Sequence, residues 1–266
     1  VYGENTSRIP FYTYAQAFIG TFMVVLVFVV SIVMIQTPRG STWRQQRRNW
    51  FAKRTISKEQ CWMVVTRERF EQGMSYEAYK AQMTRNRDRF EENERTATFG
   101  EEDMEFFRQL PQPLHALVIT EDWCGDAVAN VPVLGRLAQE SGKLNLRVFL
   151  RDQNPDIMDQ YLNEGVHRSI PVFVFFDQDF RELGHWIERP AAVSQMQGKM
   201  LDELFATEPA LQGVPRETSP AQLPEAARTR LMQAMMGFRT EIRETSDREV
   251  VREIRELIER GLRSTL

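Results

Sequence analysis

The stretch Glu-Asp-Trp-Cys-Gly-Asp-Ala at residues 121–127 sits where an apolar run ends and an amphipathic one begins. This junction constrains the fold more than any other feature. It reads as a strand delivering a single cysteine, Cys124, to the N-terminus of a helix. Unpaired N–H groups and the positive end of the helix dipole favour a thiolate at such a place. A dithiol redox site would carry a second cysteine at position 127, and this chain has Ala127.

The residues around the junction alternate between strand and helix patterns. Residues 114–120 form a short β-rich run, and residues 124–140 place Ala127, Val131, Leu134 and Ala138 on one helical face. Residues 144–151 form the next strand, with Leu144, Leu146, Val148 and Leu150 alternating. Asn154 as N-cap and Pro155 as first helical residue predict a helix ending near Gly165. Val172 to Phe176 is a continuous apolar run, the pattern of a strand covered on both faces. Asp177-Gln178-Asp179 turns into a partner strand at 182–188, and Pro190 opens a helix with Val193, Met196, Met200 and Leu204 on one side. The order β-α-β-α-β-β-α implies an α/β fold, with one parallel pair joined by a crossover helix and one antiparallel pair closed by a tight turn.

Helices flank this region. Residues 59–72 predict a helix ended by Gly73. A run from Ser75 with Tyr76, Tyr79, Met83 and Phe90 predicts a second, and Met104, Phe107 and Leu110 mark a third that stops at Pro111. Pro209, Pro215, Pro220 and Pro224 make 207–224 a linker. Two helices follow. The first carries Ala227, Leu231, Met235, Phe238 and Ile242; the second opens with a capping box from Ser246 to Glu249 and carries Val250, Ile254, Leu257 and Ile258. Their apolar stripes need a partner surface, on this domain or on another protein.

These residues resemble the thioredoxin-like superfamily. The strand at 114–120, the Trp123-Cys124-Gly125 turn with its helix, and Ser169-Ile170-Pro171-Val172 leading a strand carry the resemblance, over roughly residues 65–206. Trp123 to Asp126, Asn130 to Leu134, Arg151 to Asn154 and Trp186 to Pro190 are similar to a group of bacterial thioredoxin-family proteins with an added N-terminal helical region. The resemblance implies a mixed sheet flanked by helices, and a cis bond between Ile170 and Pro171 facing the cysteine. A reductase of this family uses its second thiol to attack the mixed disulfide, and Ala127 has none. Asp126 replaces the usual proline, and with Glu121 and Asp122 it puts three carboxylates near Cys124 in the chain. Their charge raises a thiol pKa. That offsets the helix terminus, worth about 0.3–1 kcal/mol.

The first 58 residues differ in character. No charged residue lies between Ile9 and Pro38, and Ala17 to Ile35 is an apolar stretch. As a helix it would span about 28 Å, close to the ~30 Å of a bilayer core. Phe11, Tyr12 and Tyr14 precede it, and Trp43, Trp50 and Phe51 follow it, as interfacial aromatics do. Arg39, Arg44, Arg47, Arg48, Lys53, Arg54 and Lys58 then form a basic collar without an acid. Such a collar suits anionic headgroups and, by the positive-inside rule, places the N-terminus outside and residues 39–266 in the cytoplasm. The expected organisation is an N-terminal segment at 1–38 with a transmembrane helix at about 17–35, and a basic tether at 39–58. A thioredoxin-like domain with an N-terminal helical region follows at 59–206, then a linker and two helices at 207–266. The expected location is the bacterial inner membrane, crossed once. Val1 in place of Met predicts N-terminal processing.

The net charge of −3 conceals this collar on an acidic body, which argues against nucleic-acid binding. Two cysteines, Cys61 and Cys124, make no disulfide framework. His115, His167 and His185 lack zinc-ligand spacing, and no metal or cofactor is expected. Cys61, beside Trp62, Met63, Val64 and Val65, reads as part of a packed helix face rather than a resolving thiol. Asp126 reads as a first-turn acid on the helix dipole, and Asp156 and Asp159 as helix-start and solvent-face acids rather than a cation site with Asp152. Met232, Met235 and Met236 suit either an adaptable partner surface or helix packing.

The functional expectation is a non-catalytic scaffold. Its partners would be the lipid bilayer and other subunits of a membrane complex, respiratory or photosynthetic. The alternatives are a membrane-tethered single-thiol redox protein exchanging disulfide or glutathione through Cys124, and an assembly factor that holds clients beside Pro171.

Overall fold

A computed structural model describes residues 65–264. The apolar stretch at 17–35, the collar from Arg39 to Lys58 and Cys61 lie outside the described residues, among which no helix is long and apolar enough to cross a membrane. Four short helices come first: α1 (Arg67–Glu71), α2 (Tyr76–Gln82), α3 (Arg87–Thr96) and α4 (Glu101–Arg108). The central unit is β1 (Leu114–Thr120), α5 (Gly125–Ser141), β2 (Leu144–Leu150), α6 (Pro155–Met158), β3 (Val172–Phe176), β4 (Glu182–Ile187) and α7 (Ala191–Thr207). Two further helices follow, α8 (Glu225–Glu241) and α9 (Arg243–Ser264).

The sheet order is β2-β1-β3-β4, with β1 parallel to β2 and antiparallel to β3, and β4 antiparallel to β3. This order explains the sequence patterns. β1 and β3 are central and buried along their whole length; β3 reads as an unbroken apolar run and β1 as one interrupted by His115 and closed by Thr120. β2 and β4 are edges: β2 alternates from Leu144 to Val148 before buried Phe149, and a register shift at Phe175 and Phe176 lets both Leu183 and Trp186 of β4 reach the core. One face, with Ala116, Val118, Phe173 and Phe175, packs on α5 and on α2, α3, α4 and α9. The other, with Leu117, Ile119, Val172 and Val174, packs on Phe70, Ile157, Met158 and Phe180.

Local chemistry sets several boundaries that periodicity misplaces. The run from Tyr76 to Phe90, expected as one helix, is two. The Asp122 carboxylate accepts the amides of Thr84 at 2.8 Å and Arg85 at 3.0 Å, and Asn86 turns the chain at φ 56°. The helix expected from Asn154 to Gly165 is the single turn of α6. Asn154 stands at its N-cap and Pro155 at its first position, as expected, but the Asn154 side chain makes no cap bond: its amide donates to the Leu150 carbonyl and its oxygen accepts from Arg69. The linker at 207–224 is anchored by buried Leu211 and Leu223. Ser246 caps nothing, because α9 already starts at Arg243 and Ser246 lies inside it.

The apolar stripe of α9 is settled by the fold: Val250, Val251, Ile254 and Ile258 are fully buried in the sheet's own core. Gly261 permits the approach, since a Cβ there would lie 2.4 Å from the Leu183 carbonyl oxygen of β4. Pro132, inside α5, cannot donate to the Val128 carbonyl. The Asn93 amide takes that carbonyl at 2.7 Å, and Arg243 takes the adjacent Ala129 carbonyl at 3.3 Å. The irregular turn of α5 thus becomes the docking point for α3 and α9.

At the head of α9, Asp247 is only 1% exposed, 3.0 Å from Arg243, and accepts the Thr98 amide at 3.2 Å. Burial pushes its carboxyl up to about 6, against the pull of Arg243 and the Thr98 N–H. An unfolded Asp titrates near 3.9. Between about pH 4 and 6 the folded state therefore holds a proton that the unfolded state has lost, and stability falls as pH rises. Asp247→Asn should remove this contribution, changing the stability difference from wild type by about 2–3 kcal/mol across that window. Denaturant titrations at pH 4, 5 and 6 check it; a difference independent of pH contradicts the assignment.

Candidate functional site

The end of β1 and the start of α5 place residues 121–127 at one edge of the sheet's covering layer. Cys124 is the N-cap of α5, in extended conformation, and its carbonyl accepts the Val128 amide at 3.0 Å. Its Sγ lies 3.4 Å from the Ile170 carbonyl oxygen, the geometry of a thiol donating a proton. The Ile170–Pro171 peptide bond is cis. Ala127 is fully buried against the core, so the position a companion thiol would occupy is filled by a methyl group.

Burial pushes the Cys124 thiol above its ordinary range, and the Asp126 carboxylate adds to this. The N–H groups of Ala127 and Asp126 and the Arg239 guanidinium pull the other way without overcoming it. The three carboxylates expected to act together do not. Asp122 is turned to the loop before α3, whose amides hold its carboxyl below the usual range despite burial. Glu121 is buried at the end of β2 and accepts the Asp152 amide at 2.9 Å; its carboxyl is raised by burial. Of the three, Asp126 is the one that bears on the sulfur, and it adds to the larger effect of desolvation.

Asp126 is the centre of the site. It accepts from Arg189 at 2.7 Å and from Arg239 at 3.1 Å, with all three side chains less than a fifth exposed. Burial alone would raise its carboxyl; the two guanidiniums hold it below the ordinary value. Arg189 follows β4 and Arg239 belongs to α8, so one carboxylate ties three parts of the chain together. The Arg239 guanidinium lies 3.0 Å from where a Gly125 Cβ would stand, and so covers the turn. Neighbouring bonds reinforce the arrangement. The Glu188 amide donates to the Pro171 carbonyl at 2.7 Å, and the Asn130 side chain donates to the Glu188 carbonyl at 2.9 Å. Glu253 of α9 accepts from Trp186 at 2.7 Å and from the Ala191 amide at 2.8 Å, fixing the entry to α7.

Trp123 is 42% exposed, with the Arg151 guanidinium 4.7 Å from its ring centre. The other sequence candidates lie apart from this site. Asp156 pairs with Arg69, Asp159 with Arg168 and Asp152 with Arg151. His115 stacks on Phe180, and His185 pairs with Glu182. No group of three metal-ligating side chains converges among the described residues. Met232 and Met236 are 50% and 51% exposed, so the Met-rich run of α8 is mostly surface rather than helix core. Nothing in the sequence pairs Arg189 or Arg239 with Asp126: they lie 63 and 113 positions from it, Arg189 within the Trp186–Pro190 segment and Arg239 in α8 outside the resemblance.

Residues 73–203 match a family model described as thioredoxin. No curated protein matches the chain in sequence. Among solved structures, an HIV epitope-scaffold is similar at 16% identity over 71% of this chain and 94% of its own, with a TM-score of 0.48. A protein of unknown function from Pseudomonas aeruginosa is 18% identical over 65% of this chain and 99% of its own, with a TM-score of 0.46. A yeast mitochondrial 1-Cys peroxiredoxin is 22% identical over 38% of this chain and 91% of its own, with a TM-score of 0.25.

Asp126→Asn would leave two mostly buried guanidiniums facing each other without their shared anion. Removing one partner of a buried ion pair costs about 3–5 kcal/mol. Denaturant unfolding should show a loss approaching that range, and pairing the variant with Arg239→Gln should give a strongly non-additive cycle. A loss below about 0.5 kcal/mol, the scale of ordinary surface changes, contradicts the role given to Asp126.

Proposed function

Taking residues 73–203 as a thioredoxin-like domain, we propose that this chain uses the fold as a binding module rather than as a dithiol reductase, anchored to a membrane by the apolar stretch at 17–35. The observation that carries the reading is the pairing of Cys124 with Ala127. A reductase cycle needs a second thiol to displace the substrate from the mixed disulfide, and a fully buried methyl group stands there instead. The state of Cys124 supports it. A thiolate is the nucleophile in disulfide exchange, whereas this sulfur sits where it donates to the Ile170 carbonyl, and burial favours the protonated form.

The anchor rests on sequence: an uncharged span of bilayer length followed by seven cations. The basic collar would lie on the cytoplasmic headgroups, holding the domain at the bacterial inner membrane beside the other subunits of a membrane complex. Surface area for such contacts comes from the helices added around the sheet, whose outer faces are charged. In this role Cys124 fills the turn and steadies the loop at Pro171.

Cys124→Ala should therefore leave membrane association and the stoichiometry of copurifying subunits unchanged after gentle detergent extraction. Quantitative mass spectrometry of wild-type and variant preparations measures this. Loss of a partner together with loss of a disulfide- or glutathione-dependent activity in the variant would establish the single-thiol redox role instead.

A further inference from the structure

A groove of about 580 Å³ lies beside Trp123, between α7, α8 and the segment around Pro220. Small-molecule sites have volumes of about 300–1,000 Å³, apolar walls and a few placed polar groups. Here the walls are Leu201 and Phe205 of α7 and Met232 and Met236 of α8. Methionine walls adapt to a flexible chain better than branched side chains do.

The charge of the groove is one-sided: three arginines line it and no carboxylate does. Arg239 is engaged by Asp126, and Arg216 by Asp202. Arg89 of α3 has no hydrogen bond or ion pair among the described residues. It is partly buried, and the charges that bear on it are the cations of Arg239 and Arg243, which together with burial lower its pKa. A guanidinium in that position lacks the planar anion its fork is shaped to hold.

We propose that this groove binds a single-chain carboxylate amphiphile, with the carboxylate on Arg89 and the alkyl chain along Met232, Met236, Leu201 and Phe205. One anion and one apolar tail satisfy both halves of the groove. The inference goes beyond the scaffold reading and does not depend on the reactivity of Cys124.

The test uses the full chain in phosphatidylcholine nanodiscs and a dodecanoate bearing a diazirine in its tail. After irradiation, peptide mapping should find saturable labelling in the segments 201–205 and 231–239. Unlabelled dodecanoate should compete at least tenfold better than dodecanol or dodecyltrimethylammonium. Arg89→Gln should cut the labelling at least fivefold with an unchanged melting temperature. Met236→Glu, an exposed site that places an anion inside the groove, should do the same without removing the arginine. Labelling confined to other segments, equal competition by all three headgroups, or full labelling in both variants overturns the proposal; equal competition would mean partitioning from lipid only.

Discussion

One carboxylate between two guanidiniums holds the site together. Asp126 reaches Arg189 after β4 and Arg239 on α8 from the first turn of α5. Without that anion the two cations would repel each other in a partly dehydrated crevice. With it, the strand exit, the motif helix and the C-terminal extension share one fixed geometry. The bonds from Glu188 to Pro171 and from Asn130 to Glu188 extend the arrangement to the loop facing Cys124. The C-terminal helices are therefore part of the site: Arg239 covers the turn, and α9 carries the Glu253 that fixes the start of α7.

This geometry decides between opposing effects at the sulfur. A helix N-terminus and a nearby arginine favour the thiolate; burial and the Asp126 anion favour the thiol. Burial is the largest of these influences, and the thiol form results. A lone protonated thiol bonded to a carbonyl, next to a buried alanine, is poorly suited to disulfide turnover. It is well suited to filling a turn whose surroundings make contacts.

Much of the fold was legible in the sequence because the two central strands are covered on both faces. The runs at 114–120 and 172–176 coincide with β1 and β3, and the alternation of residues 144–148 matches an edge strand. Errors arose where a distant side chain overrode local preference. Asp122 splits one expected helix in two, and Arg69 takes the side-chain oxygen with which Asn154, at the N-cap of α6, would have capped it. The site was half legible. The turn and its missing thiol can be read directly, but the acid at 126 looked like a simple dipole partner. Its real partners, Arg189 and Arg239, are far away in sequence, and nothing local marks them as its partners. The carboxylates at 121 and 122 depart from expectation for a related reason: adjacency along the chain does not tell which way a side chain turns.

The central claim is that the sulfur of Cys124 is kept protonated by its surroundings. It is tested most directly by the pH dependence of its alkylation by iodoacetamide in the full chain carrying Cys61→Ser. The account predicts an apparent pKa above that of an unstructured cysteine peptide measured alongside, and slow alkylation at neutral pH. An apparent pKa below that of the peptide, with rapid alkylation at pH 7, would contradict it.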